Sequence, residues 1–144
     1  MANSIQYAKT QATPITKLDT NELGGRVRMA FAEYEAATEQ STITMFSLPN
    51  GARLLSGAVS HDALNSSTTL SVGYAAHTKA DGTAQALDVD EYKAAAASTS
   101  ATSSDFLVTM ALGKNSVLDA NEDGVPITVT LAGADGAGTI QLQM

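Results

Sequence analysis

The chain has 144 residues, a formal net charge of −7, no cysteine and no tryptophan. This length predicts one domain, or one domain plus an arm, that can bury a core without disulfides or thiolate metal sites. Charged residues make up only 16% of the chain, against about 25% in typical soluble domains. The eight Lys and Arg are scattered, which argues against nucleic acid as a partner. The acidic balance argues equally against an anionic membrane.

Residues 1–25 are polar and aperiodic, which predicts an extended N-terminal arm before a β-sandwich domain at 26–144. Simple terminal disorder is the alternative. Within the arm, isolated apolar residues are candidate partner contacts: Tyr7, Ile15, Leu18 and Leu23. The first residues lack the basic and apolar regions of a secretory signal, and no apolar run reaches the ~18 residues of a membrane span. We therefore expect a cytoplasmic location, or assembly there into something larger.

From residue 26 onward, apolar and polar residues alternate with the period of two that is typical of strands. The alternating runs are 26–31, 41–48, 52–60, 67–75, 106–111, 125–131 and 140–143. In the first run, Arg26 and Arg28 lie opposite the apolar side chains and are candidate contacts for a partner's carboxylates. Pro126 favours an edge position for its strand.

Asp88-Val89-Asp90-Glu91 is similar to a capping box, and the alanine-rich run to Ala97 favours a helix. About seven or eight short strands at regular spacing predict an all-β fold. The expected fold is therefore a jelly-roll-like or related antiparallel β-sandwich with one short helix and an extended N-terminal arm.

Few residues suggest chemistry. His61-Asp62 is the one adjacent His–acid pair, His77 stands apart, and no Gly-x-Ser-x-Gly motif is present. Ser60 precedes His61, but neighbours on a strand point to opposite faces and do not form a relay. We therefore predict no catalytic residues, no enzyme activity and no cofactor.

The stretch Asp119–Gly124 is similar to the opening of an EF-hand calcium loop, with Asp119, Asn121 and Asp123 as the candidate ligands. The position that should supply a bidentate Glu is Thr130, inside a predicted strand. An acidic hairpin loop is the competing interpretation. A weak calcium site completed by a neighbouring subunit stays open; no other metal site is predicted.

Three stretches resemble small structural proteins of tailed bacteriophages: Leu48–Leu54, Ala63–Tyr74 and Asp88–Ala94. They match a strand followed by L-P-x-G-A, an A-L-x-x-S-T-T-L-x-V-G strand, and a D-x-D-x-Y helix. The resemblance implies a virion capsid-decoration (cement) protein, assembled in the host cytoplasm, that binds the major capsid protein on the outer capsid lattice as a homotrimer.

Two other functions remain open at this stage. One is a tail or head-fibre component. The other is a non-enzymatic carbohydrate- or adhesin-type binding module, although the absence of tryptophan counts against the aromatic platforms that such modules use.

Overall fold

The computed structural model describes residues 4, 8–9, 11–14, 25–39 and 41–144. Within these residues the chain forms ten strands and a short 3-10 helix at Met110–Leu112. The strands are β1 (Phe31–Glu39), β2 (Thr42–Leu48), β3 (Gly57–His61), β4 (Thr69–Tyr74), β5 (His77–Thr78), β6 (Ala84–Gln85), β7 (Asp88–Ala97), β8 (Thr102–Phe106), β9 (Val125–Ala132) and β10 (Gly136–Gln143).

Two four-stranded antiparallel sheets make up the fold. The first sheet has the order β1-β10-β3-β8 and the second has the order β2-β9-β4-β7, while β5 and β6 form a separate hairpin. This arrangement confirms the predicted all-β antiparallel sandwich. The Asp81-Gly82 turn closes the hairpin, where Gly82 has a positive φ of 86° that suits glycine.

The core lies between the two sheets and depends on period-two alternation. On β9, Val125, Ile127, Val129 and Leu131 are at most 2% exposed, and Ile140 and Leu142 of β10 are fully buried. All six belong to one hydrophobic cluster. Burying a side chain of this size is worth about 1.5–3 kcal/mol, so this alternation is the main stabilising pattern in the chain.

The helix predicted at the capping-box-like stretch is wrong, because Asp88–Ala97 is the strand β7. The Asp88 carboxylate does accept a backbone N–H, but from Asp90 at 3.2 Å and within a strand. Pairing with β4 and burial of Tyr92, 4% exposed, outweigh the helix propensity of the alanines, which is a weak effect per residue.

Four other strand predictions need correction. Residues 25–30 are extended but precede β1, and β8 ends at Phe106, so the alternating stretches 26–30 and 107–111 lie outside the strands. Residues 52–56 form a loop before β3. Pro126 does not mark an edge strand: β9 is central, between β2 and β4. Proline is tolerated because it is only the second residue of the strand.

One end of the sandwich, the proximal end, gathers the starts of β1, β3, β7 and β9 and the ends of β2, β4, β8 and β10. Two loops, 49–56 and 107–124, cross this end and pair with each other. Arg53 bridges to Val117, and the Leu54 N–H donates to the Ser116 carbonyl at 2.9 Å. Residues 25–30 also reach this end, because the Ala30 N–H donates to the Met144 carbonyl at 2.8 Å.

Replacing Ala97 with Thr distinguishes a strand from a helix at β7. Ala97 is exposed and opposes Thr69 across the ladder, so a β-branched residue should raise the free energy of unfolding by about 0.5 kcal/mol. In a helix the same change would lower it by roughly that amount. Urea denaturation measures the difference, with Ala101→Thr in the exposed β7–β8 loop as the matched control. Destabilisation by Ala97→Thr alone would contradict the strand.

Thr128 is fully buried, and its hydroxyl makes no hydrogen bond with a described protein group. Thr68 is equally buried, but its hydroxyl donates to the Ala134 carbonyl at 3.3 Å. We expect Thr128→Val to raise the free energy of unfolding by about 1 kcal/mol and Thr68→Val to lower it by about the same amount. Equal losses in the two variants, measured by thermal and urea unfolding, would show that the Thr128 hydroxyl has a partner.

Candidate interaction surface

The residues with catalytic potential do not converge. His61 is 8% exposed, and its Nδ1 lies 2.7 Å from the backbone carbonyl of Asp62. The Asp62 carboxylate instead accepts the Thr139 N–H at 3.2 Å. Ser60 donates to the Ser103 hydroxyl at 2.8 Å, on the opposite face of β3 from His61. Ser60, His61 and Asp62 therefore each make a separate hydrogen bond within the first sheet or its loops, and they do not form a relay.

His77 lies in the β5–β6 hairpin, near the proximal end. Its Nδ1 is 3.0 Å from the Ala75 carbonyl, and its ring packs edge-on against Tyr74 at 5.3 Å between centroids. The Tyr92 ring is 6.0 Å from that of Tyr74, and burial raises the pKa of the Tyr92 phenol well above its usual range. Gln85 donates to the Tyr74 hydroxyl at 3.1 Å. The cluster anchors the hairpin on the second sheet.

The candidate calcium loop uses its oxygens to hold the protein's own N–H groups. Asp119 accepts the Ala80 N–H at 3.1 Å and so ties the loop to the β5–β6 hairpin. The Asn121 side chain accepts the Asp123 N–H at 3.0 Å and donates to the Asp123 carboxylate at the same distance. Among the described residues, no group of three or more His, Asp or Glu side chains is placed to hold a metal ion. The three predicted ligands therefore serve as turn-forming groups in this conformation.

The predicted partner contacts fall into two groups. Tyr7, Ile15, Leu18 and Leu23 lie outside the described residues, so their role stays a prediction. Arg26 and Arg28 are both exposed at the proximal end. In the described part of the chain, no helix has both the length and the apolar character that a membrane span requires.

Apolar side chains cluster on the surface around these two arginines. Val27 is 82% exposed, Met29 is 71% exposed and Leu55 is 45% exposed. Val27 and Leu55 line one open groove, and Met29 lines a second groove together with Val108, which is 57% exposed. Monomeric proteins rarely leave such groups together in water, and patches of this kind mark interaction sites.

Cations surround this cluster although the chain is acidic. Four of its eight Lys and Arg residues line or flank the two grooves: Arg26, Arg28, Arg53 and Lys114. Among the described lining residues, Asp105 carries the one side-chain carboxylate. We call this surface the basic end patch, and it consists of Val27, Met29, Leu55 and Val108 together with these four cations.

Sequence reasoning found part of this surface and missed the rest. The alternation at Val27 and Met29 predicted a half-buried strand, and the same pattern at Val108 and Met110 predicted another. Met110 is 83% exposed. The alternation was therefore present, but it could not show that these side chains remain exposed among the residues that the structure describes.

The outward face of the first sheet is polar and internally bonded. Gln141 donates to the Glu33 carboxylate and Thr139 to the Glu35 carboxylate, each at 2.7 Å. These cross-strand pairs join β1 to β10. Glu33 and Glu35 are thus members of an exposed ladder of hydrogen bonds.

Comparison with solved structures relates this fold to two phage capsid chains. The protein is similar to a chain in the capsid of Ralstonia phage GP4, with a TM-score of 0.63 and 20% identity, over 83% of this chain and 82% of that chain. It is also similar to a chain in the cyanophage Pam1 capsid asymmetric unit, with a TM-score of 0.51, 20% identity and 81% of each chain covered. No protein-family model matches the sequence, and no curated protein matches it. The similarity shows a shared fold.

We expect Asp119→Ala to loosen the β5–β6 hairpin, because it removes the acceptor of the Ala80 N–H. Hydrogen exchange over residues 78–85 should become faster by on the order of tenfold, the equivalent of one net hydrogen bond. Asp135→Ala, in the exposed β9–β10 loop at the opposite end of the sandwich, is the control and should leave that exchange unchanged. If added calcium slows exchange in the native protein but not in Asp119→Ala, the loop binds the ion and its side chains rearrange to do so.

Proposed function

We propose that this chain is a virion structural protein of a tailed phage that decorates the outside of the head. The observation that carries the proposal is the fold shared with a chain of a phage capsid over more than four fifths of both chains. The resemblance of the turn after β2 and of β4 to small phage structural proteins also supports it, whereas the Asp88–Ala94 segment is a strand and not the helix of that resemblance. The partner in this proposal is the major capsid protein, and the protein assembles with it in the host cytoplasm.

The surface chemistry fits a role in adhesion. The basic end patch exposes apolar and cationic side chains that can contact another macromolecule, and the His and Ser side chains described above form structural hydrogen bonds. A decoration protein binds many equivalent sites on a lattice, so modest contacts suffice once copies are linked in one oligomer, which raises their effective concentration. A homotrimer would provide this linkage with closed symmetry.

Two measurements test this function. Sedimentation equilibrium should give a mass three times that of the 14.8 kDa chain, and the protein should co-sediment saturably with purified phage heads that lack it. Cryo-electron microscopy of those heads should show added density on their outer surface. A strict monomer at high concentration would contradict the trimer. Failure to bind heads, or assembly of the isolated protein into tubes or stacked rings, would favour a tail or fibre component instead.

A further inference from the structure

The proximal end carries two surfaces of opposite charge, one over each sheet. The basic end patch lies over the first sheet, beside the starts of β1 and β3 and the end of β8. Across the paired loops 49–56 and 107–124, the second sheet presents carboxylates at the start of β7 and in the turn before β9. Two surfaces of opposite charge at one end of the protein allow one copy to contact a second copy in a fixed direction, positive surface against negative surface.

The carboxylate surface also contains an exposed apolar side chain. Leu87 is 59% exposed and directly precedes Asp88 at the β7 edge of the second sheet, where Asp90 is exposed on the same strand. Glu122 and Asp123 are exposed further along the same end, in the turn before β9, where the Ser47 hydroxyl of β2 donates to the Asp123 carbonyl at 2.8 Å. The hydrogen bond from Ala80 to Asp119 holds the 119–124 turn against the hairpin that leads to Leu87. Lys79 is a cation in this region and is half-buried. We call this surface the acidic end patch, consisting of Leu87, Asp88, Asp90, Glu122 and Asp123.

We propose that the basic end patch of one copy docks on the acidic end patch of a second copy. This inference rests on the proposed function, since it assigns the contact that would close the decorating trimer. Charge complementarity selects the second copy as the occupant. The basic end patch has four cations against the single side-chain carboxylate of Asp105 in its grooves, and the acidic end patch has four carboxylates with Lys79 as a nearby cation. Two basic patches placed face to face would repel. A head-to-tail contact of this kind repeats around a ring and closes when the rotation between copies fits.

The apolar and charged groups contribute differently to this contact. Val27 and Met29 of one copy pack near Leu87 of the next, which removes from water side chains that are exposed among the described residues. Arg26 and Arg28 face the carboxylates of β7 and of the 119–124 turn. These charges fix the register and direction of the contact and make it sensitive to salt.

A charge-swap experiment tests the contact in the free protein. Arg28→Glu and Glu122→Lys each place like charges across the proposed interface. Each should therefore weaken trimer formation, measured by sedimentation equilibrium, by on the order of tenfold or more. The variant with both substitutions restores opposite charges in every contact of the ring, so its association should return to within about threefold of the native protein. Added salt should weaken the native association.

Two control variants carry the same changes of charge outside the patches. Lys93→Glu lies within β7, and Asp135→Lys lies in the β9–β10 loop at the opposite end of the sandwich. Both should associate as the native protein does, and unfolding curves should show that all variants fold. The proposal is overturned if the native chain is monomeric, if the two single reversals leave the trimer intact, or if the double variant associates no better than the weaker single variant.

Binding to phage heads separates this proposal from the proposed function. If the charge-reversed variants dissociate but still bind heads as weaker monomeric ligands, both the contact and the decoration role are supported. If they stay trimeric and bind heads normally, the assigned contact is wrong while the decoration role stands. If the charge swap behaves as expected but no form of the protein binds heads, the contact stands and the decoration role is wrong.

Discussion

The central position of β9 is the constraint on which the rest of the structure depends. Its apolar side chains are buried against the first sheet, and its backbone pairs with β2 on one side and β4 on the other. A strand that is hydrogen-bonded along both edges leaves β2 and β7 as the edges of the second sheet. The chain crosses between the two sheets at the proximal end in loops 49–56 and 107–124. The basic end patch and the acidic end patch therefore both lie at this end.

Close packing on β4 extends this constraint to β7. A Cβ on Gly73 would collide with the backbone of Asp88 and Val89, and Ser71 donates to the Val89 carbonyl at 2.9 Å. Small residues at these two positions therefore allow β7, whose register with β4 is irregular, to fold close over its neighbour. The same packing places Asp88 and Asp90 at the proximal end, within the acidic end patch.

The local patterns predicted the central elements well. The alternating runs that became β4, β9 and β10 were read correctly as strands, because the pattern depends on side chains close in sequence. The helix at Asp88–Ala97 was predicted wrongly, since capping and propensity are weak compared with an open sheet edge that offers a full ladder of hydrogen bonds. The edge assignment for Pro126 failed for a related reason: strand order is not a local property.

The sequence by itself determined an acidic, cysteine-free all-β chain, the alternation that builds its core, and the presence of Arg26 and Arg28 beside apolar residues. Only the tertiary structure decided which alternating stretches are covered. Val27, Met29 and Val108 follow the same pattern as the buried residues of β9, yet they remain exposed at the end of the sandwich. Burial depends on what lies opposite a side chain, and the partner can be a distant part of the same chain or another molecule.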